Sequence, residues 1–171
     1  MGQSVFPAAG GSSVPNWTLL QTATPSGVAS VTFSGLSGYS KYRINGVVSP
    51  SGTLNLALRI NADTANHYAA GFYVVSSGIA NVTYLSGAGT YALSQGSSTQ
   101  QHAGSVEIDN ALGLCNKNIV SNFANYSATS TSASIMATGV YITTAVVSSL
   151  VIIASAGTLS SGTSLELLGA N

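Results

Sequence analysis

The stretch that decides the fold is residues 51–68, SGTLNLALRINADTANHY. Leu54, Leu56, Leu58 and Ile60 share one parity, and Thr53, Asn55, Ala57 and Arg59 share the other. Alternation with a period of two puts one set on an apolar face and the other on a polar face, which is the signature of a half-buried β-strand. The polar run that follows, NADTAN at 61–66, is made of turn formers, so the strand ends there and the chain reverses. Arg59, Asp63 and His67 fall on and around this turn. Asp63 and His67 are four apart, a helical spacing, but the turn residues between them argue against a helix. The expected role of Asp63 is to bond backbone N–H groups of the turn or to pair with Arg59 across it.

The same alternation recurs along the chain. ASVTFSGL at 29–36 directs Val31 and Phe33 inward, and KYRINGVV at 41–48 directs Tyr42, Ile44 and Val48 inward. HYAAGFYVVSS, NVTYL, GSVEIDN, NIVSNFANYSA, SASIMATGVYI, AVVSSLVIIAS and TSLELLG follow, separated by Gly, Ser and Asn clusters. Helix-period windows do not occur. With no helices for parallel crossovers, the expected architecture is all-β: an antiparallel, jelly-roll-like β-sandwich. Residues 143–157, TTAVVSSLVIIASAG, read as a strand buried on both faces and are too short and too interrupted by serine to span a membrane as a helix. Leu85–Gly104 reads as a surface loop with at most one short strand.

Residues 1–16 differ. MGQSVFPAAGGSSVPN has two prolines, paired glycines and no alternation, so an extended N-terminal arm is expected there, with the sandwich over 17–171. The arm has no basic leader region followed by an apolar run, and so does not read as a secretory signal. Its apolar and proline residues Val5, Phe6, Pro7, Val14 and Pro15 are the candidate partner-anchoring positions.

Composition narrows function further. Charged residues are 5% of the 171, against about 25% in ordinary globular chains, and four positive side chains balance four negative ones. Duplex binding needs several Lys or Arg on phosphates, and a basic membrane-surface helix needs them too, so neither nucleic acid nor membrane is an expected partner. A nearly chargeless surface suits a protein packed against neighbours. Cys115 is the single cysteine, so no disulfide forms within one copy.

Motifs for chemistry are missing. There is no GxSxG elbow, no HxxxH or CxxC metal spacing, and no strand-to-helix phosphate loop, so no catalytic residue, cofactor or metal is expected. Glu107 and Asp109 are the only neighbouring carboxylates, on the outer face of one strand, where a solvated surface role outweighs glycoside hydrolysis. The aromatics Tyr39, Tyr42, Tyr68, Phe72, Tyr73, Tyr84, Tyr91, Phe123, Tyr126 and Tyr141 suit core packing first and a sugar-binding groove second.

Four segments in order, SGVASVTFSGLSGYSKYRI (26–44), LNLALRINADTANHY (54–68), GSVEIDN (104–110, followed by Lys117) and ATGVYITTAVVSSLVIIASAGTLSSGTSLELLGAN (137–171), carry a resemblance. The chain resembles a family of bacteriophage virion β-sandwich domains whose strands read SVTFSGI, LRFNGDTGSNY, GSIxIxNY and a closing GxWxSTxAITSITL…GNFxAGSxxxLYGI pair. It covers most of residues 24–170 and leaves out the arm. Two positions depart: the family's aromatic is Tyr141 or Val140, and the closing segment is Leu167-Leu168-Gly169-Ala170. The resemblance implies a non-enzymatic structural protein at the virion surface. Its leading form is a capsid decoration, or cement, protein that binds the major capsid protein and other virion proteins as a homo-oligomer, a trimer being one form. The alternative is a short tail fibre or tail-tip protein that binds cell-surface glycan.

Overall fold

The computed structural model describes residues 15–52, 55–76, 79–94, 101–125 and 133–171. Twelve strands are formed: β1 (Thr18–Ala23), β2 (Ser30–Ser34), β3 (Lys41–Val48), β4 (Leu56–Ile60), β5 (Tyr68–Ser76), β6 (Ile79–Ala88), β7 (Tyr91–Ala92), β8 (His102–Asp109), β9 (Lys117–Asn125), β10 (Ala133–Tyr141), β11 (Ser149–Ala154) and β12 (Ser164–Ala170). Eight of them make one sheet in the order β1-β12-β3-β8-β9-β10-β5-β6, and four make a second in the order β2-β11-β4-β7. Every pairing is antiparallel. The chain is therefore an all-antiparallel, two-sheet β-sandwich with no helix among the described residues, the jelly-roll-like architecture that the alternation requires.

The core forms where the inward parities of the two sheets meet. Tyr42, Ile44, Phe72, Val106, Ile108, Ile119, Phe123, Ile135, Leu165 and Leu167 come from the large sheet, and Phe33, Leu56, Leu58, Ile60, Tyr91, Leu150 and Ile152 from the small one. Leu56, Leu58 and Ile60 are completely buried, as the alternation of the opening stretch demands; Thr53 and Leu54 lie outside the described residues. The opposite parity of β4 is drier than expected, because Ala57 is also buried and Arg59 half-buried. β11 lies between β2 and β4 and buries Leu150, Val151, Ile152 and Ala154, so it is covered on both faces. It begins at Ser149, later than the apolar run suggests.

Two regions differ from the sequence reading. β1 was not anticipated, because Leu19 and Leu20 are adjacent and break the alternation, and a register shift between Leu19 and Gln21 in its pairing with β12 reflects that irregularity. The segment expected as a surface loop at 85–104 instead extends β6 to Ala88, supplies β7 and starts β8 at His102. Tyr91, Leu93, Ser94 and His102 from this segment are buried, so much of it belongs to the core.

Gly46 and Gly104 face each other across β3 and β8. A Cβ on Gly104 would run into the Asn122 carbonyl oxygen and lie 2.7 Å from the Phe123 Cα, so the approach of β8 to β9 depends on the missing side chain.

Candidate functional site

The β4–β5 turn carries a polar network around an ionisable group. Asn61 and Ala62 both have positive φ, 56° and 54°, and the Asp63 N–H bonds the Ile60 carbonyl at 3.0 Å, which closes a tight reversal. Asn61 fastens the turn to the lead-in of β11. Its amide donates to the Val146 carbonyl at 2.8 Å, and its Oδ1 accepts from Ser148 N at 2.8 Å and Ser149 N at 3.2 Å.

Asp63 is the hub. Its Oδ1 accepts from the Ala65 N–H at 2.8 Å, and its Oδ2 accepts from His67 Nδ1 at 2.6 Å and from the Tyr141 hydroxyl at 2.8 Å. The His67 bond, then the backbone bond to Ala65, then the Tyr141 bond hold the carboxyl well below its usual range, at about 2. The turn thus brings Asp63 and His67 together without a helix. The expected alternative pairing of Asp63 with Arg59 is not formed, and Arg59 makes no ion pair among the described residues. Tyr141 stacks on Tyr68 with centroids 4.8 Å apart, and the Ile60 N–H donates to the buried Tyr68 hydroxyl at 2.8 Å. Burial pushes Tyr68 up to about 12, so it stays neutral. An Asp that orients a His is half of a nucleophile-activating arrangement. The other half is not built: among the described residues, His67 makes its one side-chain hydrogen bond to Asp63. The cluster works as a clasp joining β4, β5 and β10.

Glu107 and Asp109 are ion-paired across the sheet to their register partners. Arg43 reaches Glu107 at 2.6 Å and Lys41 reaches Asp109 at 2.7 Å. Arg43 also lies 4.2 Å over the Trp17 ring. These carboxylates of β8 neutralise the two cations of β3. No group of three His, Cys, Asp or Glu that could hold a metal is found among the described residues.

Lys117 is fully buried, with its ammonium donating to the carbonyls of Gly113, Cys115 and Thr143 at 2.6, 2.8 and 3.3 Å. Burial lowers its pKa. It gathers the β8–β9 turn, in which Asn110 takes a positive φ of 62° and bonds Cys115 Sγ and the Asn116 carbonyl.

The outer face of the large sheet presents five of the exposed large apolar side chains. Tyr73, Val82, Tyr84, Val120 and Met136 all stand in solvent, on neighbouring strands β9, β10, β5 and β6. Among them runs an open trough of about 370 Å³, floored by Ala69 and Gly71 of β5 and walled by Tyr84 and Ser86 on one side and Thr138 and Val140 on the other. The trough exists because β5 places its smallest residues on this parity. That signal is visible in HYAAGFYVV once the strand is known to lie between two others, which the sequence does not reveal.

Of the candidate anchoring residues, Val5, Phe6, Pro7 and Val14 lie outside the described residues, and Pro15 is half-buried ahead of Trp17. No family model, curated protein or solved structure matches the chain.

Proposed function

We propose that this protein is a non-enzymatic structural component of a bacteriophage particle. In this reading it is a capsid decoration, or cement, protein at the virion surface that bridges neighbouring copies of the major capsid protein and associates with its own copies. The virion assignment comes from the resemblance of residues 24–170 to phage sandwich domains. The assembly assignment has a separate support in where the charges lie.

The chain has eight charged side chains, and they fall on β3 (Lys41, Arg43), β4 (Arg59), the β4–β5 turn (Asp63), β8 (Glu107, Asp109), β9 (Lys117) and β12 (Glu166). None is on β1, β6, β2 or β7, which are the edge strands among the described residues. An edge strand presents unpaired N–H and C=O groups, and monomeric proteins commonly protect such edges with lysine, other charges or proline. β6 has ten residues, IANVTYLSGA, and carries neither a charge nor a proline. Edges left so open suit a molecule whose neighbours complete them. Neutral contacts of this kind also persist when salt changes, and weak contacts repeated over a lattice add through effective concentration.

The test is to place charge on the edge. Ala80→Lys with Thr83→Lys changes two residues of β6 that are exposed in the single chain. The double variant is expected to keep its far-ultraviolet spectrum, to run as a monomer in sedimentation where the unaltered chain is oligomeric, and to drop out of purified particles. Unchanged association and incorporation would contradict the reading.

A further inference from the structure

We infer that the outer face of the large sheet, over β9, β10, β5 and β6, is a contact surface for the same face of a second copy of this chain, with Tyr84 of each copy seated in the trough of the other. This deepens the assembly reading, on which it rests for the crowding of copies, and it concerns a side-chain face rather than the backbone edge of β6.

The pairing registers set the exposed apolar side chains in two adjacent rows. One row crosses the four strands as Val120, Thr138, Gly71 and Tyr84, and the next as Asn122, Met136, Tyr73 and Val82. Alternate residues of a strand share a face, so the rows are contiguous on it. Val120, Met136, Tyr73, Val82 and Tyr84 are between 46% and 79% exposed. Exposed apolar residues standing singly are ordinary, whereas a contiguous apolar patch marks a surface that another molecule covers.

Two properties make a second copy the occupant. The two rows contain no Asp, Glu, Lys, Arg or His, and the ion pairs Lys41–Asp109 and Arg43–Glu107 stand to one side on β3 and β8. A charged face repels its own copy; this one does not. The patch also carries a projection and a hollow of matching chemistry side by side. Tyr84 is the projection, 79% exposed yet positioned, because a Cβ built on Gly71 would meet its ring atoms at 3.3 and 3.5 Å. The hollow is the trough of about 370 Å³ beside it, with Ala69 and Gly71 as the apolar floor and Val140 on the far wall. Ser86 and Thr138 add hydroxyls that suit the phenol at the tip of an otherwise apolar ring.

A two-fold axis lying between two such faces sends each Tyr84 into the trough of the other copy. Residue i then meets j and j meets i, which is the self-complementarity an isologous contact requires. Facing sheets pack about 10 Å apart with interdigitated side chains, and the two Tyr84 rings come to lie alongside each other. Val82 and Tyr84 belong to β6, so this face is continuous with the charge-free edge.

Size sets the strength. Four strands at ~4.8 Å span about 19 Å, and Ala69 to Tyr73 at ~3.3 Å per residue span about 17 Å, a flat area of roughly 320 Å². A standard interface buries about 800 Å² per partner, so this contact belongs to the weak, reversible class. It takes hold where copies are already held side by side and the effective concentration is high.

The experiment is sedimentation equilibrium of the full chain from dilute to concentrated solution, with the fold of each variant checked by circular dichroism. Tyr84→Ala removes the projection and Ala69→Leu fills the hollow; each alone should weaken self-association about tenfold or more, while Tyr84→Phe should retain it. An equimolar mixture of the Tyr84→Ala and Ala69→Leu chains should associate again, because the intact Tyr84 of one finds the open trough of the other and the filled trough faces the missing ring. A general loss of structure in either variant cannot give that recovery. Association unmoved by both substitutions, no recovery on mixing, or a parent chain that stays monomeric throughout would each overturn the inference, as would particles on which a different virion protein covers Tyr84. Ala69 lies one strand in from the edge, so association that ignores Ala69→Leu but is lost in the Ala80→Lys, Thr83→Lys chain would sink the face contact and leave the edge reading standing.

Discussion

At the scale of single residues, two positions, one in a turn and one in the core, have measurable consequences. Ala62 sits at φ 54° in the β4–β5 turn, where a side chain costs about 1–2 kcal/mol that glycine does not incur. Glycine loses roughly 0.4–1 kcal/mol through the greater freedom of the unfolded chain. The balance favours Ala62→Gly by about 0.5 kcal/mol, which thermal unfolding should register as a rise of about 1–2 °C in Tm.

His102 is the second case. It is completely buried, both ring nitrogens lack a hydrogen-bond partner among the described residues, and its register partners Val48 and Asn125 bear no charge. Burial alone lowers its pKa from the ordinary 6.5. A basic group whose folded pKa is depressed takes up its proton more readily when unfolded. The folded state is thus favoured above pH 6.5 and loses stability as pH falls below it. In urea melts across acidic pH, His102→Leu should remove this component and lose less stability than the parent between neutral pH and pH 5; parallel curves would refute the assignment.

The reading of single residues from sequence succeeds where chemistry is local and fails where it is not. Asp63 as a cap on backbone N–H groups is legible from NADTAN. Its bond to Tyr141 is not, because the partner is 78 positions away and reaches it only through the β5–β10 pairing.

At the scale of elements, alternation carried most of the strands because the two sheets bury one face each. Val31, Phe33, Tyr42, Ile44 and Val48 are where a period of two puts them: Val31 is half-buried and the other four are buried. It does not reach β1, whose adjacent leucines and bulge disrupt the period, and it reads NVTYL and GSVEIDN as strands but leaves 85–104 as a loop with at most one short strand, because Gly and Ser there interrupt every window. In that region the decisive residues are isolated: Tyr91, Leu93 and His102 anchor it to the core one at a time. The trough was hidden for a related reason. Tyr73 and Tyr84 are indistinguishable in sequence from the buried Tyr42, Tyr68 and Tyr91, and only strand order puts them on the outer face.

Turns are held by single side chains, and the β8–β9 turn tests this. Lys117 ties three carbonyls together from a buried position. Lys117→Met keeps the apolar stem and leaves those acceptors unpaired, which should cost roughly 2 kcal/mol or more. Chemical denaturation should show it, with faster hydrogen exchange confined to residues 110–118. A loss below about 0.5 kcal/mol would mean the turn is fixed by its backbone and by Asn110 instead.

At the scale of the whole molecule, an apolar sandwich with edge strands free of charge follows an N-terminal arm expected from sequence. Deletion of residues 2–15 removes Val5, Phe6, Pro7, Val14 and Pro15 and leaves every described strand intact. The truncated chain should fold with an unchanged melting transition and fail to attach to particles, measured by its absence after gradient purification. Normal incorporation would exclude the arm as the anchor.

The central proposal is that this charge-poor β body adheres to repeated neighbours through its arm and edges. Its most direct test is an electron-microscope reconstruction of the particle that carries the chain. The account predicts density for the sandwich over the head surface at junctions between capsid subunits, with the β6 edge, residues 79–88, against a neighbouring chain. Density confined to the tail tip, or a head-bound sandwich whose edges all face solvent, would contradict it.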